Sequence, residues 1–118
     1  MTRPHNGSIV LVDWRRGGLP KEPTKIRPSI VVEDSRLFDE HHPNLIVVPL
    51  TTNPDLAIPA LSVMIEPTTQ NGCSERCYAL AFNVTSVSIV RTKSSKGYVT
   101  SAQLQAIREK VALCIGLL

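Results

Sequence analysis

The stretch TKIRPSIVV, residues 24–32, places an arginine and a proline in front of an apolar run. The segment PSIVVED (28–34) lacks polar alternation, which is typical of a strand covered on both faces. Pro28 fixes its own φ and biases Arg27 toward an extended conformation. We therefore predict a buried strand over residues 28–34. Arg27 at its mouth is either a charge that keeps the strand soluble or a ligand for an anion.

Short strands separated by turn residues flank this run. Residues 7–14 (GSIVLVDW) predict a strand, and residues 15–25 contain two glycines and two prolines, which predicts a loop. Alternating polar and apolar residues, or short apolar runs, predict further strands over 44–50, over 60–67 and, as two strands or one bent strand, over 77–90. Pro49 indicates an edge position or a bulge near the end of the third strand.

The end of the chain has helical periodicity instead. Apolar residues recur at helical spacing, and two more widen the stripe: Leu104, Ile107, Val111, Cys114, Ile115 and Leu118. Thr100 and Gln103 fit a capping box, which predicts a helix that starts near Ser101. Strands without βαβ alternation, followed by one helix, predict a mainly β (α+β) fold, a small antiparallel barrel with the helix packed on it.

The composition is that of a globular protein. The chain has 118 residues, 42% of them hydrophobic and 19% charged, so we predict one domain over residues 1–118 with a modest core. No apolar run approaches the ~20 residues of a membrane helix. The first eight residues lack the apolar segment of a signal peptide. We expect a cytoplasmic protein without a membrane partner.

The basic residues fall into two groups, and the net charge is +3. The first group surrounds the predicted loop, and the second lies before the helix: Arg15, Arg16, Lys21, Lys25 and Arg27, then Arg91, Lys93 and Lys96. If the fold brings the groups together, they form a groove for a polyanion. If it does not, they are solvated loop charges.

Several kinds of enzyme lack their sequence motifs in this chain. There is no GxxxxGK[ST], GxGxxG or GxSxG motif, so phosphate-loop, dinucleotide and hydrolase-elbow chemistry are not indicated. His41 and His42 lie in a polar loop, where solvation accounts for them. No acidic pair has a spacing that suggests a two-metal nuclease. We predict no cofactor and no metal site.

The three cysteines do not form a metal or disulfide motif. They lie at Cys73, Cys77 and Cys114, an odd number without CxxC spacing. Cys114 falls in the apolar helix pattern and is predicted to be buried. Cys73 and Cys77 flank the polar residues SER and are predicted to be loop thiols.

Polar residues at two predicted strand junctions are candidates for function. Arg27 precedes the second strand, and Thr51, Thr52 and Asn53 follow the third. If these strands pair, the junctions become neighbours on a rigid scaffold, which is where functional residues concentrate. The alternatives are that Arg27 only solubilises the strand and that Asn53 only starts a turn.

Taken in order, five segments resemble the MazF/PemK family of toxin endoribonucleases, from about Gly7 to Leu117. They are NGSIVLVDW (6–14), KIRPSIVV (25–32), IVVPLTTN (46–53), ALAFNVTSVSIV (79–90) and KGYVTSAQLQAIREKVALCIGL (96–117). The resemblance implies an SH3-like barrel of the CcdB/PemK type and a homodimer. It also implies metal-independent, sequence-selective cleavage of single-stranded messenger RNA by 2′-hydroxyl attack, which inhibits translation and growth. The implied partner is an antitoxin with a disordered acidic segment.

Residue by residue, the resemblance places the family's catalytic arginine on Arg27 and its catalytic threonine on Thr51. A loop glutamate of the family falls on Glu22, as a base or as a contact to a base edge. Residues expected to bind RNA lie around them: Trp14, Arg15, Arg16, Lys21, Lys25, Thr52, Asn53 and Asn83. The family's acidic-Gln-x-basic pattern is replaced by FNVT (82–85), so a charge pair that contributes to RNA preference is missing.

The chemistry of these residue types agrees with this assignment. Cleavage requires removal of the 2′-hydroxyl proton, stabilisation of phosphoryl charge and protonation of the 5′ oxygen. A guanidinium holds two phosphate oxygens while it stays charged. It is a poor base, because deprotonating a group of pKa roughly 12.5 or more at neutral pH costs about 7 kcal/mol. Arg27 is therefore predicted to stabilise the phosphate, and the general base stays open.

Two other functions remain open from the sequence. A toxin of the same fold, of the CcdB type, binds DNA gyrase without catalysis and has no need of Arg27 paired with Thr51. A non-catalytic module that binds an antitoxin or DNA is suggested by the FNVT departure.

Overall fold

The computed structural model describes residues 3–14 and 26–118. Within these ranges the chain forms seven strands and one α-helix: β1 (Ser8–Asp13), β2 (Ile26–Val31), β3 (Asn44–Thr51), β4 (Ser62–Ile65), β5 (Cys77–Leu80), β6 (Thr85–Ser88), β7 (Thr92–Tyr98) and α1 (Ser101–Cys114). No helix in these ranges has the length and apolar character needed to cross a membrane.

The described strands form one antiparallel sheet. Its order is β4-β5-β3-β2-β1-β7. β6 also pairs with β3, on the same edge as β5 but nearer the start of β3. The predicted fold class, mainly antiparallel β with a C-terminal helix, is therefore confirmed. The sheet is open in the described part of the chain, since β4 and β7 lie at the two ends of the path.

Both faces of the sheet are apolar. On one face, Ile30 and its neighbours pack with Leu104 and Ile107 of α1. On the other face, Val31 belongs to a second cluster, which consists of Val10, Val12, Val31, Leu45, Val47 and Val87. Consecutive strand residues point to opposite faces, and both Ile30 and Val31 are fully buried. This confirms the prediction that the apolar run is covered on both sides.

Strands β2 and β3 differ from the predictions at their ends. β2 starts at Ile26, so Arg27 lies within the strand, opposite Val12 of β1. β3 pairs with β2 on one edge and with β5 and β6 on the other, so the expectation of an edge strand at Pro49 is wrong. Pro49 instead forms the last described pair of the β2–β3 ladder, because a proline has no N–H to donate.

Strand β7 was not predicted. Its sequence, TKSSKGY, has no apolar alternation and its side chains are mostly exposed. Backbone pairing with β1 holds it, with an irregular register between Ile9 and Val10. Gly97 is required there, because a Cβ atom would lie 2.4 Å from the carbonyl oxygen of Asn71.

The helix begins as the capping box predicts. The Gln103 backbone N–H donates to Thr100 Oγ1 at 3.1 Å, and the Thr100 N–H donates to Gln103 Oε1 at 2.9 Å. The end of the apolar stripe is less buried than predicted. Cys114 is only half-buried, and Ile115 and Leu118 are exposed, because the helix ends at Cys114 and the chain leaves the sheet there.

A buried ion pair joins the N-terminal segment to the sheet. Arg3 Nη2 donates to Glu33 Oε2 at 2.7 Å, and both side chains are almost fully buried. The same guanidinium donates to the carbonyl oxygens of His42 at 2.6 Å and Asn44 at 2.7 Å. Glu33 Oε1 accepts the backbone N–H of Ile46 at 3.1 Å. The charges are thus satisfied by several hydrogen bonds, as burial requires.

We expect Arg3→Met to destabilise the fold by about 3–5 kcal/mol, because it leaves the Glu33 carboxylate buried without its counterion. The matched control is Arg36→Met, which removes an exposed ion pair with Asp34 and should leave the urea midpoint unchanged. Urea denaturation followed by circular dichroism measures both. Equal effects of the two substitutions would contradict a structural role for the Arg3 ion pair.

Candidate active site

A cavity opens where the β2–β3 ladder ends. Two residues beyond the Ser29–Pro49 pair lie Arg27 on β2 and Thr51 on β3. Both line a cavity of about 280 Å³, whose lining residues are Arg27, Pro28, Leu50, Thr51, Thr52 and Cys77. The structure therefore brings together the two residues that the sequence suggested as catalytic.

Thr51 has a fixed hydroxyl orientation. It is the last residue of β3 and is buried. Its Oγ1 accepts the backbone N–H of Asn53 at 3.1 Å, so the hydroxyl proton is the part that can be donated to a ligand. The Asn53 side chain is used locally, because its Oδ1 accepts the N–H of Asp55 and caps the turn Pro54–Leu56. This turn agrees with the alternative reading of Asn53 as a turn residue.

Arg27 is half-buried in the same region. It is paired with Val12 on the β1 side, and Thr51 lies on the β3 side. A guanidinium at this position can present a planar fork of N–H donors to an anion that enters the cavity.

A second, larger cavity lies on the β1–β7 side of the sheet. It has a volume of about 830 Å³ and is lined by Leu11, Asp13, Ile26, Val90, Arg91, Thr92 and Lys93. Ile26 lines this cavity and Arg27 lines the smaller one, and consecutive strand residues point to opposite faces of the sheet. The structure thus places Arg91 and Lys93 of the second basic group at the larger cavity and Arg27 at the smaller one. Lys96 is exposed on β7 and lines neither cavity.

The other predicted site residues are placed as follows. Thr52 is exposed and lines the smaller cavity. Trp14 is half-buried and packs against the valine-rich cluster. Asn83 is exposed in the turn Ala81–Asn83 and lines neither cavity. The remaining predictions lie outside the described residues: Arg15, Arg16, Lys21, Glu22 and Lys25.

Tyr78 lies beside the candidate site, and the sequence pattern did not single it out. It lies directly opposite Thr51 on β3 and opposite Met64 on β4, so its side chain is on the same face as that of Thr51. Arg76 lies close to Tyr78 and donates a hydrogen bond from its Nε to Glu66 Oε1 at 2.5 Å. Hydrogen bonds to Glu66 and to Tyr78 raise the pKa of Arg76. The register between β3 and β5 is what would have identified Tyr78.

Cys77 is also placed differently from the prediction. It is the first residue of β5, buried opposite Ile65, and it lines the smaller cavity. It is therefore a strand residue in the core and not a loop thiol. Cys73, half-buried, does lie in the loop before β5.

With this geometry established, comparison with known families is informative. A model of the family described as PemK-like, MazF-like toxin of type II toxin–antitoxin system matches residues 5–115. The chain belongs to this toxin family. The match covers all the described strands and the whole of α1. A comparison with curated protein sequences gave no match.

Solved structures with the same fold include proteins of mycobacteria and of Deinococcus radiodurans. A mycobacterial endoribonuclease, solved in complex with its cognate antitoxin, has 23% identity, a TM-score of 0.73 and 98% coverage of both chains. MazF from Deinococcus radiodurans has 18% identity, a TM-score of 0.75 and 96% coverage of both chains. The toxin MazF-mt6 of Mycobacterium tuberculosis has 20% identity, a TM-score of 0.71 and coverage of 93% of this chain and 97% of its own. At these identities the likeness establishes the MazF fold.

The hydrogen bond between Thr51 and Asn53 can be tested by amide exchange. Thr51→Val keeps the shape of the side chain but removes the acceptor, so the Asn53 amide should exchange about fivefold faster, as expected for a bond of about 1 kcal/mol. Thr51→Ser keeps the hydroxyl and should keep the protection. Hydrogen exchange followed by NMR measures this amide. Unchanged protection in the valine variant would contradict the assigned hydroxyl orientation.

Proposed function

We propose that this protein is the toxin of a type II toxin–antitoxin system and a metal-independent, sequence-selective endoribonuclease. Its substrate is single-stranded messenger RNA, and cleavage inhibits translation and growth. The observation that carries the proposal is the position of Arg27 and Thr51 on the wall of one cavity. Mycobacterial proteins of the same fold, described as endoribonucleases, support it.

The proposed reaction is transesterification within RNA. The 2′ oxygen attacks the adjacent phosphorus, the bond to the 5′ oxygen breaks, and the products are a 2′,3′-cyclic phosphate and a 5′-hydroxyl. Arg27 stabilises the charge on the phosphoryl oxygens and donates a hydrogen bond to the departing 5′ oxygen, which takes its proton from solvent water. Thr51 donates a hydrogen bond from its hydroxyl to a non-bridging oxygen. Glu22, outside the described residues, is the candidate for the base that removes the 2′-hydroxyl proton.

The proposed RNA path follows the two cavities. Arg91 and Lys93 supply positive charge at the larger cavity, and Arg27 holds the scissile phosphate at the smaller one. Tyr78, on the face of Thr51, offers a ring on which an unpaired base can stack. The other proposed RNA contacts remain those of the sequence prediction: Trp14, Arg15, Arg16, Lys21, Lys25, Thr52, Asn53 and Asn83.

The proposed partners are a cognate antitoxin and a second copy of the chain. An acidic disordered segment of the antitoxin complements the basic side chains at the two cavities, Arg27 at the smaller and Arg91 and Lys93 at the larger. The complexes of mycobacterial and Deinococcus toxins of this fold with their antitoxins support such a partner. The exposed apolar residues Ile115, Leu117 and Leu118 support the homodimer, since large exposed apolar groups mark association surfaces.

Substitution of Arg27 tests the reaction. Arg27→Ala should lower the rate of RNA cleavage by about 100-fold or more, because it removes a preorganised donor to developing charge. Arg27→Lys should also lose activity, since an ammonium cannot form the bidentate fork. Arg36→Ala, at an exposed arginine outside both cavities, is the matched control and should cleave normally. Assays with a long single-stranded RNA in EDTA measure the rates.

The same variants, expressed inducibly, separate the competing functions. Wild type should arrest growth and create new RNA 5′ ends, whereas Arg27→Ala and Thr51→Val should do neither. Growth arrest without new RNA ends would favour a gyrase-binding toxin. Equal arrest by all variants would show that the site is wrong, and loss of cleavage in EDTA would contradict a metal-independent reaction.

The salt dependence of RNA binding tests the proposed path. The logarithm of the affinity for single strands should fall with the logarithm of salt concentration by about 0.7 for each phosphate contact. Arg91→Gln combined with Lys93→Gln should therefore reduce the slope by roughly 1.4, and Arg36→Gln should leave it unchanged. Fluorescence anisotropy with a 2′-O-methyl RNA, which cannot be cleaved, measures the slope. A slope that stays the same in the double variant would contradict RNA binding along the larger cavity.

A further inference from the structure

Two of the three cysteines lie near the smaller cavity, one in its wall and one packed against the core behind it. Cys77 begins β5, is buried, and lines the cavity with Thr51 and Thr52. Cys73 precedes it in the loop from β4, separated by Ser74, Glu75 and Arg76, and packs against the core cluster that contains Cys77. Neither thiol has a part in the proposed cleavage reaction.

The loop that carries Cys73 is held in one conformation by a buried asparagine. Asn71 Oδ1 accepts the backbone N–H groups of Thr68 at 3.0 Å and Cys73 at 2.9 Å. Its Nδ2 donates to the carbonyl oxygen of Glu66 at 2.9 Å. From β7, the backbone N–H of Tyr98 donates to the Gln70 carbonyl at 3.0 Å. Since the loop is fixed from several sides, the position of Cys73 relative to Cys77 is fixed as well.

Cys73 and Cys77 belong to one packed cluster, four residues apart in the sequence. Burial and a hydrogen bond with the Cys73 side chain raise the pKa of Cys77 to about 12. Cys77 Sγ also lies 3.3 Å from the Glu75 carbonyl oxygen, to which it can donate. At neutral pH Cys77 is therefore a protonated thiol, whereas Cys73 is the more exposed of the pair and meets an oxidant first.

We propose that Cys73 and Cys77 are a redox-modification site that a peroxide converts into an intramolecular disulfide. Hydrogen peroxide oxidises the Cys73 thiol to a sulfenic acid and releases one water. The Cys77 sulfur then attacks the Cys73 sulfur, so that an S–S bond forms and the S–O bond breaks. The hydroxide that leaves takes the proton of Cys77 and becomes a second water. Two thiols thus supply the two electrons that reduce the peroxide.

The disulfide would change the wall of the cavity. A relaxed disulfide needs an S–S bond of about 2.05 Å and a dihedral angle near 90°, so the Cys77 side chain must turn toward Cys73. Tyr78, the next residue, is paired with Thr51, so a shift at the start of β5 is passed to the proposed catalytic threonine. The oxidised protein should therefore cleave RNA more slowly, a consequence that rests on the proposed function.

Thiol counting on the full chain tests the site. After treatment with hydrogen peroxide, the wild type should lose two of its three free thiols and two hydrogen atoms of mass, and dithiothreitol should restore both. Cys114→Ser is the matched control and should form the same disulfide. Cys73→Ser should not form it, and Cys77→Ala serves as the second variant because it fills the buried position without a polar group. Peptide mapping should identify the Cys73–Cys77 link.

Each outcome decides one part of the proposal. Three remaining thiols in the oxidised wild type, a link through Cys114 or an intermolecular disulfide would overturn the site. A disulfide that leaves RNA cleavage unchanged would overturn its coupling to Thr51. If the reduced wild type does not cleave RNA, the proposed nuclease function is wrong, and the mass and thiol count still decide whether the disulfide forms.

Discussion

The end of hydrogen bonding between β2 and β3 is the constraint on which the candidate site depends. Pro49 faces Ser29 in the last described pair, and Pro28 is the next residue along β2. Neither proline has an N–H group, and the two occupy adjacent register positions, so one donor is missing from the β2–β3 ladder where it ends. The strands continue, but the space between them becomes a cavity, and Arg27 and Thr51 are the polar residues that line it.

The apolar packing on both faces makes this opening rigid. Ile30 and Val31, the last two residues of β2, are fully buried on opposite sides of the sheet. A strand fixed on both faces cannot shift its register without exposing one of its apolar faces. Arg27 is therefore held at a fixed position along the sheet. Because its side chain is half-buried, water weakens its attraction for an anion less than it would for an exposed loop arginine.

Local sequence patterns predicted most strands, the capping box and the Arg27–Thr51 pair, because alternation, turn residues and caps are local properties. They did not predict β7, whose polar side chains are held only by backbone pairing with β1. The Arg3–Glu33 ion pair and the placement of Tyr78 beside Thr51 depend on long-range register. The buried position of Cys77 also followed from strand pairing, since its polar sequence neighbours indicated a loop.

The chemistry of the cavity divides the reaction between two parts of the chain. Arg27 and Thr51 both supply hydrogen-bond donors, and neither acts as a proton acceptor, because the guanidinium and the hydroxyl already carry their protons. The described wall of the cavity is thus suited to stabilising phosphoryl charge, an effect of about 100-fold to 1000-fold for each donor. Activation of the 2′-hydroxyl requires a group with a lower pKa, which is the role proposed for Glu22. A carboxylate carried by the segment between β1 and β2 makes the rate depend on that segment as well as on the sheet.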